Sequence, residues 1–362
     1  MPKSPPIFVT KTFVPPLEEY EAFISASFQK AHLTNQGPLV VELEKKLRAK
    51  LGVDNLQLVA NGTVALQLAL KALNIESGEV ITTPFSYVAT ISSILWERCQ
   101  PVFVDIEPDN FTLNPALLEK AITPRTRAIM PVHVFGYACN VEAIQKIAVR
   151  HGLKVIYDAA HAFGCRYKDR SLLDWGDVST CSFHATKLFH TGEGGACLVQ
   201  DANTNEKLDL IKRFGHSGDE HFRLGINAKM SELHAGMGLA VLPYLPEIIK
   251  ARREISELYD RLLCNLVGRP LPQDGLDYNY AYYPVLFRDE TQLLRIFDAL
   301  AVQNIYPRRY FYPALNKLPY LTDMTSCFVA EDVSSRIACL PLFPDLSIDD
   351  VCRICRTIEA NL

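Results

Sequence analysis

Between about residues 63 and 200, short β-branched apolar runs alternate with longer stretches whose apolar positions recur every three or four residues. The runs EVITTP, QPVFVDI, RAIMPVHVF, LKVIYDAA, VSTCSFHA and GACLVQ read as strands. Several are apolar almost throughout, the pattern of strands covered on both faces. Between them, TVALQLALKAL, SYVATISSILWE, NPALLEKAI and NVEAIQKIAVRHG read as helices, the last stopping at Gly152. This alternation predicts an α/β fold whose mostly parallel sheet is flanked by helices.

After about Leu242 the pattern changes. Leu245, Ile248, Ile249, Arg252, Ile255, Leu258, Tyr259 and Leu262 follow a helical repeat, predicting one long amphipathic helix over LPEIIKARREISELYDRLL. A strand YAYYPVLF, a helix TQLLRIFDALAVQ, a Pro/aromatic segment IYPRRYFYPALNKLPYL and a terminal helix around DDVCRICRTIEANL follow. The reading is a large domain with an N-terminal segment over 1–242 and a small α+β domain over 243–362. A chain of 362 residues has room for both.

Composition narrows the partners. Net charge is −4 and no block of five or six like charges occurs, so nothing points to nucleic acid or an anionic membrane. MPKSPPIFVTKTF lacks the apolar stretch of a secretory leader, and no window reaches the roughly 18 apolar residues of a membrane span. The expected location is cytoplasmic. Ten cysteines scattered through apolar runs read as reduced core residues, and the Cys352/Cys355 pair has no second pair to complete a zinc site.

Three stretches carry chemistry. In VANGTVALQLAL a strand end, an Asn-Gly-Thr turn and a helix starting near Thr63 form a possible phosphate cradle, because free N–H groups at a helix start attract anions and Gly62 lets one approach. A plain turn glycine is the other reading. In KVIYDAAHAFG, Asp158 ends an apolar strand where open α/β sheets bind ligands, with His161 three residues on. The competing reading makes Asp158 the N-cap of a helix over AAHAFG. In STCSFHATKLFHTGEGGA an apolar strand runs into Lys187, and a desolvated lysine becomes an amine nucleophile suited to a Schiff base. Ser182 offers a hydroxyl to an anion, and the glycines of TGEGG allow close approach or a tight return. A phosphate turn, a strand-end acid and a later lysine are the three anchors of pyridoxal 5'-phosphate (PLP).

Lesser signals keep two readings each. His184 and His190 read as polar residues at the pocket edge, with no third ligand spaced for a metal. His133 reads as a structural hydrogen-bonder or a substrate contact, and Glu193 as a substrate-positioning group or a loop end. Arg308, Arg309, Tyr310 and Tyr312 read as sugar or diphosphate recognition, or as aromatic loop packing.

The ordered series NGT, TTPFSYVAT, PVFVDIEPDNFTLNP, AIMPVHVFG, VIYDAAHAFG, SFHATKLFHTGEGGA and GINAKMSELHAGMG resembles the DegT/StrS-type nucleotide-sugar aminotransferases, PLP enzymes of fold type I. The resemblance covers about residues 30–245, more loosely beyond. It implies a mostly parallel seven-stranded sheet in the large domain. Gly62 and Thr63 would hold the cofactor phosphate through backbone groups, Ser182 through its hydroxyl, and Tyr87 would stack on the ring. Asp158 would partner the ring nitrogen, His161 would sit near the ring oxygen, and Lys187 would form the Schiff base and carry protons. Asn227 would reach the phosphate in a neighbouring subunit, implying a homodimer with shared sites, while Glu193, Arg308 and Tyr310 would meet substrate. The implied reaction moves an amino group from L-glutamate to a keto group of a nucleotide-linked 6-deoxyhexose, through the pyridoxamine form. Within the family, IYPRRYFYPALN leans to formation of dTDP-4-amino-4,6-dideoxyglucose. A 3-keto sugar, another nucleotide, a PLP-dependent dehydration and a non-catalytic regulatory paralogue stay open, although the family's dehydratases carry histidine where this chain has Lys187. Lipopolysaccharide O-antigen or other surface-glycan synthesis, or natural-product glycosylation, is the implied destination.

Overall fold

The structure is a computed structural model that describes residues 5–271, 273–322 and 324–362; the first four residues of the N-terminal segment lie outside the described residues. Seven strands form the principal sheet: β1 Leu56–Val59, β2 Glu79–Thr82, β3 Gln100–Phe103, β4 Thr126–Met130, β5 Lys154–Asp158, β6 Val178–Ser182 and β7 Gly195–Val199. Their order is β1-β7-β6-β5-β4-β2-β3. β7 runs antiparallel to both neighbours and the remaining pairs are parallel. Val80, Ile81, Ala128, Ile129, Val155, Ile156, Val178 and Ala196 have no exposed surface, so the near-continuous apolar runs do mark strands covered on both sides.

Helices α1 Leu17–Gln29 and α2 Pro38–Leu51 precede the sheet. α3 Gly62–Ala72, α4 Ala89–Trp96, α5 Val141–His151 and α6 Ala202–Ile211 link or follow its strands. α5 stops at Gly152, as expected, because the left-handed φ of 63° at that position favours glycine. NPALLEKAI forms only a 3-10 turn, Pro115–Leu117, and a single α turn, Leu118–Ala121, too short to be the expected helix.

α7, Glu232–Val241, carries a fully buried acid at its start. Glu232 accepts the backbone N–H of Leu39 and of Val40 at 2.9 and 3.0 Å, which caps α2 from another helix. A side chain on Gly37 would come within 2.4 Å of the Glu232 carboxyl carbon, so only glycine fits there.

The long helix read from its repeat is α8, Leu245–Leu262, and it buries Leu245, Ile248, Arg252, Ile255 and Tyr259. It packs with α9 Glu290–Val302 and α11 Ile348–Glu359 around a two-stranded antiparallel sheet, β8 Tyr283–Leu286 and β9 Ile337–Leu340. Val351, Ile354 and Ile358 occupy the buried face of α11, as the repeat requires. Ile7 joins this same core, and Ile7–Phe8 pairs in parallel with Ile305–Tyr306. α10, Phe328–Arg336, begins under Asp105, whose carboxylate accepts the Val329 and Ala330 N–H groups at 2.9 Å each. Asp105 lies just beyond β3, so this cap ties the segment after Arg308 to the principal sheet.

Candidate active site

At the carboxyl ends of the parallel strands lies a cavity of about 510 Å³, within the range of small-molecule sites. Asp158 closes β5 and Ser182 closes β6, so chain direction alone brings an acid and a hydroxyl to this edge. α3 begins at Gly62, one residue before the expected start, with Asn61 as its cap: Asn61 Oδ1 accepts the Val64 N–H at 2.9 Å. Gly62 and Thr63 line the cavity at the helix start, where N–H groups lack intrahelical acceptors. A Cβ on Gly62 would sit 2.8 Å from the Ser182 Cβ, so the helix start and the Ser182 side chain are in contact.

Asp158 is 6% exposed. Thr90 Oγ1 donates to its Oδ2 at 2.7 Å and the Ala160 N–H donates to its Oδ1 at 3.2 Å. Burial pushes its pKa up, outweighing those two bonds and the nearby Lys187 charge. Residues 159–164 form turns, so the N-cap reading of Asp158 is corrected: its bond to Ala160 closes a tight turn and starts no helix. His161 accepts the Phe135 N–H on Nδ1 at 3.0 Å, leaving Nε2 to carry the proton of the neutral ring. Its ring lies parallel to Phe311 with centroids 5.7 Å apart, and burial, then Lys187, holds its pKa well below the usual value.

Lys187 stands on a hairpin loop between β6 and β7 and opens to the cavity, with protein packed closely round its amine. Burial lowers its pKa, against the opposing pull of Tyr310, Asp158, Cys181 and Tyr87. The loop is stitched by Phe183 N–H to Gly194 O and Ala185 N–H to Gly192 O, both 2.8 Å. Glu193 also lines the cavity, exposed, with its carboxylate 3.7 Å from His184 Nε2.

Of the arginine and aromatic cluster, Arg308 and Tyr310 reach the cavity. Arg309 does not: it binds Glu290 and the Ser335 carbonyl at 2.7 Å each and stacks 3.4 Å over Tyr312, so half of the cluster is packing. Tyr87 is on the wall, 56% exposed. His133 is fully buried outside the lining, accepts the Cys139 N–H on Nδ1 and stacks on Tyr157, a structural role. His190 is likewise buried away from the cavity edge, 2.6 Å from the Phe13 carbonyl. Asn227 is exposed and outside this chain's own cavity, its Oδ1 accepting from Lys229 Nζ at 2.7 Å.

Sequence reasoning missed Thr90, Tyr282 and Phe311. Thr90 stands three residues after Tyr87 at the start of α4, a spacing that could have flagged it. Nothing local marks Tyr282 or Phe311. Cys352 and Cys355 are free thiols, and among the described residues no cluster of three or more His, Cys, Asp or Glu could hold a metal. None of the described helices is long and apolar enough to cross a membrane.

The cavity thus offers an amine of depressed pKa, a buried carboxylate and an anion-attracting helix start. That set can hold a flat ring bearing a phosphate on one side and a cationic nitrogen on the other. The chain is 42% identical to the dTDP-4-amino-4,6-dideoxy-D-glucose transaminase of Shigella dysenteriae, over 98% of each chain. It is 39% identical to the enzyme of the same name from Escherichia coli, again over 98% of each. Among solved structures, DesI determined in the presence of its TDP-sugar product superposes with a TM-score of 0.93 at 31% identity, over 99% of this chain and 93% of that one. A family match over residues 17–359 agrees with the sheet, the lysine hairpin and the helix start: the chain belongs to the DegT/DnrJ/EryC1/StrS aminotransferase family.

Proposed function

We propose that this aminotransferase uses pyridoxal 5'-phosphate to move an amino group from L-glutamate to dTDP-4-keto-6-deoxyglucose, giving dTDP-4-amino-4,6-dideoxyglucose and 2-oxoglutarate. The observation that carries the reading is the convergence of Lys187, buried Asp158 and the Gly62/Ser182 contact on one cavity. The full-length likeness to two transaminases of that name supports the choice of sugar. The residues fit the cofactor. Burial raises the pKa of the Asp158 carboxyl, and a protonated ring nitrogen beside it would favour its charged form. Gly62, Thr63 and Ser182 form the cradle for its phosphate.

Bound pyridoxal phosphate supplies an aldehyde that exchanges amines and a ring that delocalises negative charge. Asp158 would keep the ring nitrogen protonated, Tyr87 would cover a ring face and His161 would stand by the ring oxygen. With its amine free, Lys187 Nζ would serve as the base that takes the proton from the α-carbon of glutamate and hands it on during the transfer. In the sugar half it works in reverse, at sugar C4. The low amine pKa keeps a larger fraction of Lys187 unprotonated and able to act as base. Glu193, Arg308 and Tyr310 line the sugar side.

The same reading includes a homodimer in which Asn227 completes the neighbouring site. Exposed apolar Phe222, Leu224 and Ile226 beside it suit a buried contact. It also includes a cytoplasmic location, a division at residues 242/243 and a product destined for O-antigen or similar glycans. The test is a visible spectrum of PLP-loaded protein: L-glutamate bleaches the band and the 4-keto sugar restores it. A band that never bleaches rejects the reading, and one that bleaches without returning rejects the sugar.

A further inference from the structure

Among the described residues, the one hydrogen-bond partner of the Lys187 amine is Tyr282, whose hydroxyl oxygen lies 3.4 Å from Nζ. That distance is at the long end for a hydrogen bond. Tyr282 is 5% exposed and cannot swing freely. Its ring lies against His161 at 4.7 Å and is edge-on to Tyr310 at 5.7 Å. Its backbone is pinned as well: Tyr278 Oη donates to the Tyr282 carbonyl at 3.0 Å, and buried Arg252 donates to the Ala281 carbonyl at 2.9 Å. Asn279 continues the clamp, donating to the His161 and Phe163 carbonyls at 2.8 and 2.9 Å and accepting the Ala281 N–H. The fold therefore spends several buried polar groups on fixing one hydroxyl beside one amine.

We propose that Tyr282 is the positioning residue for Lys187: its hydroxyl receives the lysine N–H whenever the amine is free, and holds Nζ at the place from which it transfers protons. This rests on the transaminase reading above. Without the hydroxyl, a four-carbon side chain with several rotamers must find the reacting carbon unaided. The other ionisable groups facing Nζ are Asp158, His161, Tyr87, Tyr310 and Cys181. None of them accepts a hydrogen bond from Nζ, so they set its electrostatic surroundings and leave its position to Tyr282.

Tyr282→Phe removes the hydroxyl and keeps the ring, so the melting temperature should stay within about 2 °C of the parent. Two measurements then test the inference. In the cofactor-free protein, the pH dependence of reductive methylation at Lys187, read by peptide mass spectrometry, gives the amine's titration midpoint. An acceptor favours the charged amine, so its loss should move that midpoint down by roughly half to one pH unit. In the loaded enzyme, kcat should fall roughly 10-fold while KM for glutamate and for the keto sugar changes less than about 2-fold, because the lost contact acts in proton transfer. The effect of deuterating the glutamate α-carbon should grow in the same variant. An unchanged midpoint, or a raised KM with kcat intact, overturns the inference. A parent enzyme that transfers no amino group overturns the transaminase reading instead, and the methylation measurement stands independently of that.

Discussion

Gly62 has no room for a methyl group, since its Cβ would sit 2.8 Å from the Ser182 Cβ. Gly62→Ala must push the first turn of α3 away from Ser182 and spoil the proposed phosphate cradle. PLP affinity, measured by fluorescence titration, should fall at least about 10-fold, while overall stability changes by only about 1 kcal/mol. At this scale the sequence is readable where a residue's role is local. A strand-end acid, a lysine after an apolar strand and an Asn-Gly-Thr turn each announce themselves within a few positions. Arg308 and Arg309 show where reading fails, because adjacent residues in extended chain point to opposite sides. One reaches the cavity and the other binds Glu290, and no property of the dipeptide tells which. Tyr282 meets Lys187 across 95 positions of sequence, with no periodicity to link them.

Helices α2 and α10 are capped by side chains from elsewhere in the fold. Glu232 holds the first turn of α2 across 193 positions, buried and bonded to two N–H groups. Glu232→Ala strands both donors in an apolar setting, and equilibrium unfolding should show a loss of about 3 kcal/mol. Glu42→Ala, which breaks the exposed ion pair with Lys46, should stay within about 0.5 kcal/mol. Such distant caps explain part of what the pattern did not yield. α2 has no side-chain cap of its own, opening on Gly37 and Pro38, and α10 depends on Asp105. Apart from NPALLEKAI, which forms only short turns, the strands from residue 79 on and the helices between them were readable because their apolar runs are near-continuous or recur at helical spacing. The helices before residue 56 and α10 were not.

At the scale of the whole molecule, acid should unfold the protein through buried histidines. Burial drives the His133 pKa down to about 3 from the usual 6.5, and His161 moves the same way. Between those values the unfolded chain binds a proton that the folded one refuses. This contribution to stability is therefore whole above pH 6.5 and is lost as pH falls toward 3, by about 1.4 kcal/mol per unit for His133. Melting temperatures from pH 7 to 4 should fall, and His133→Asn, which keeps an acceptor for the Cys139 N–H, should flatten that slope. The proposed shared sites have their own test. Lys187→Ala and Asn227→Ala proteins, each inactive or impaired alone, should recover roughly a quarter of parental activity when denatured together and refolded, since half of random dimers then hold one intact site of two. Mixtures no better than their parts would show that Asn227 does not serve a partner.

The reversed direction of β7 has a kinetic consequence. Because β6 and β7 pair as a hairpin, with Ser182 opposite Gly195, the loop that holds Lys187 is closed by short-range contacts. The acid, the helix start and Tyr282 reach the cavity only through long crossovers, whose closure costs more chain entropy. The hairpin should then outlast the cavity rim during partial opening, and hydrogen exchange should show Phe183 and Thr191 amides protected well after those lining the rim near Tyr310. The lysine would be the fixed point around which the rest of the site assembles and comes apart.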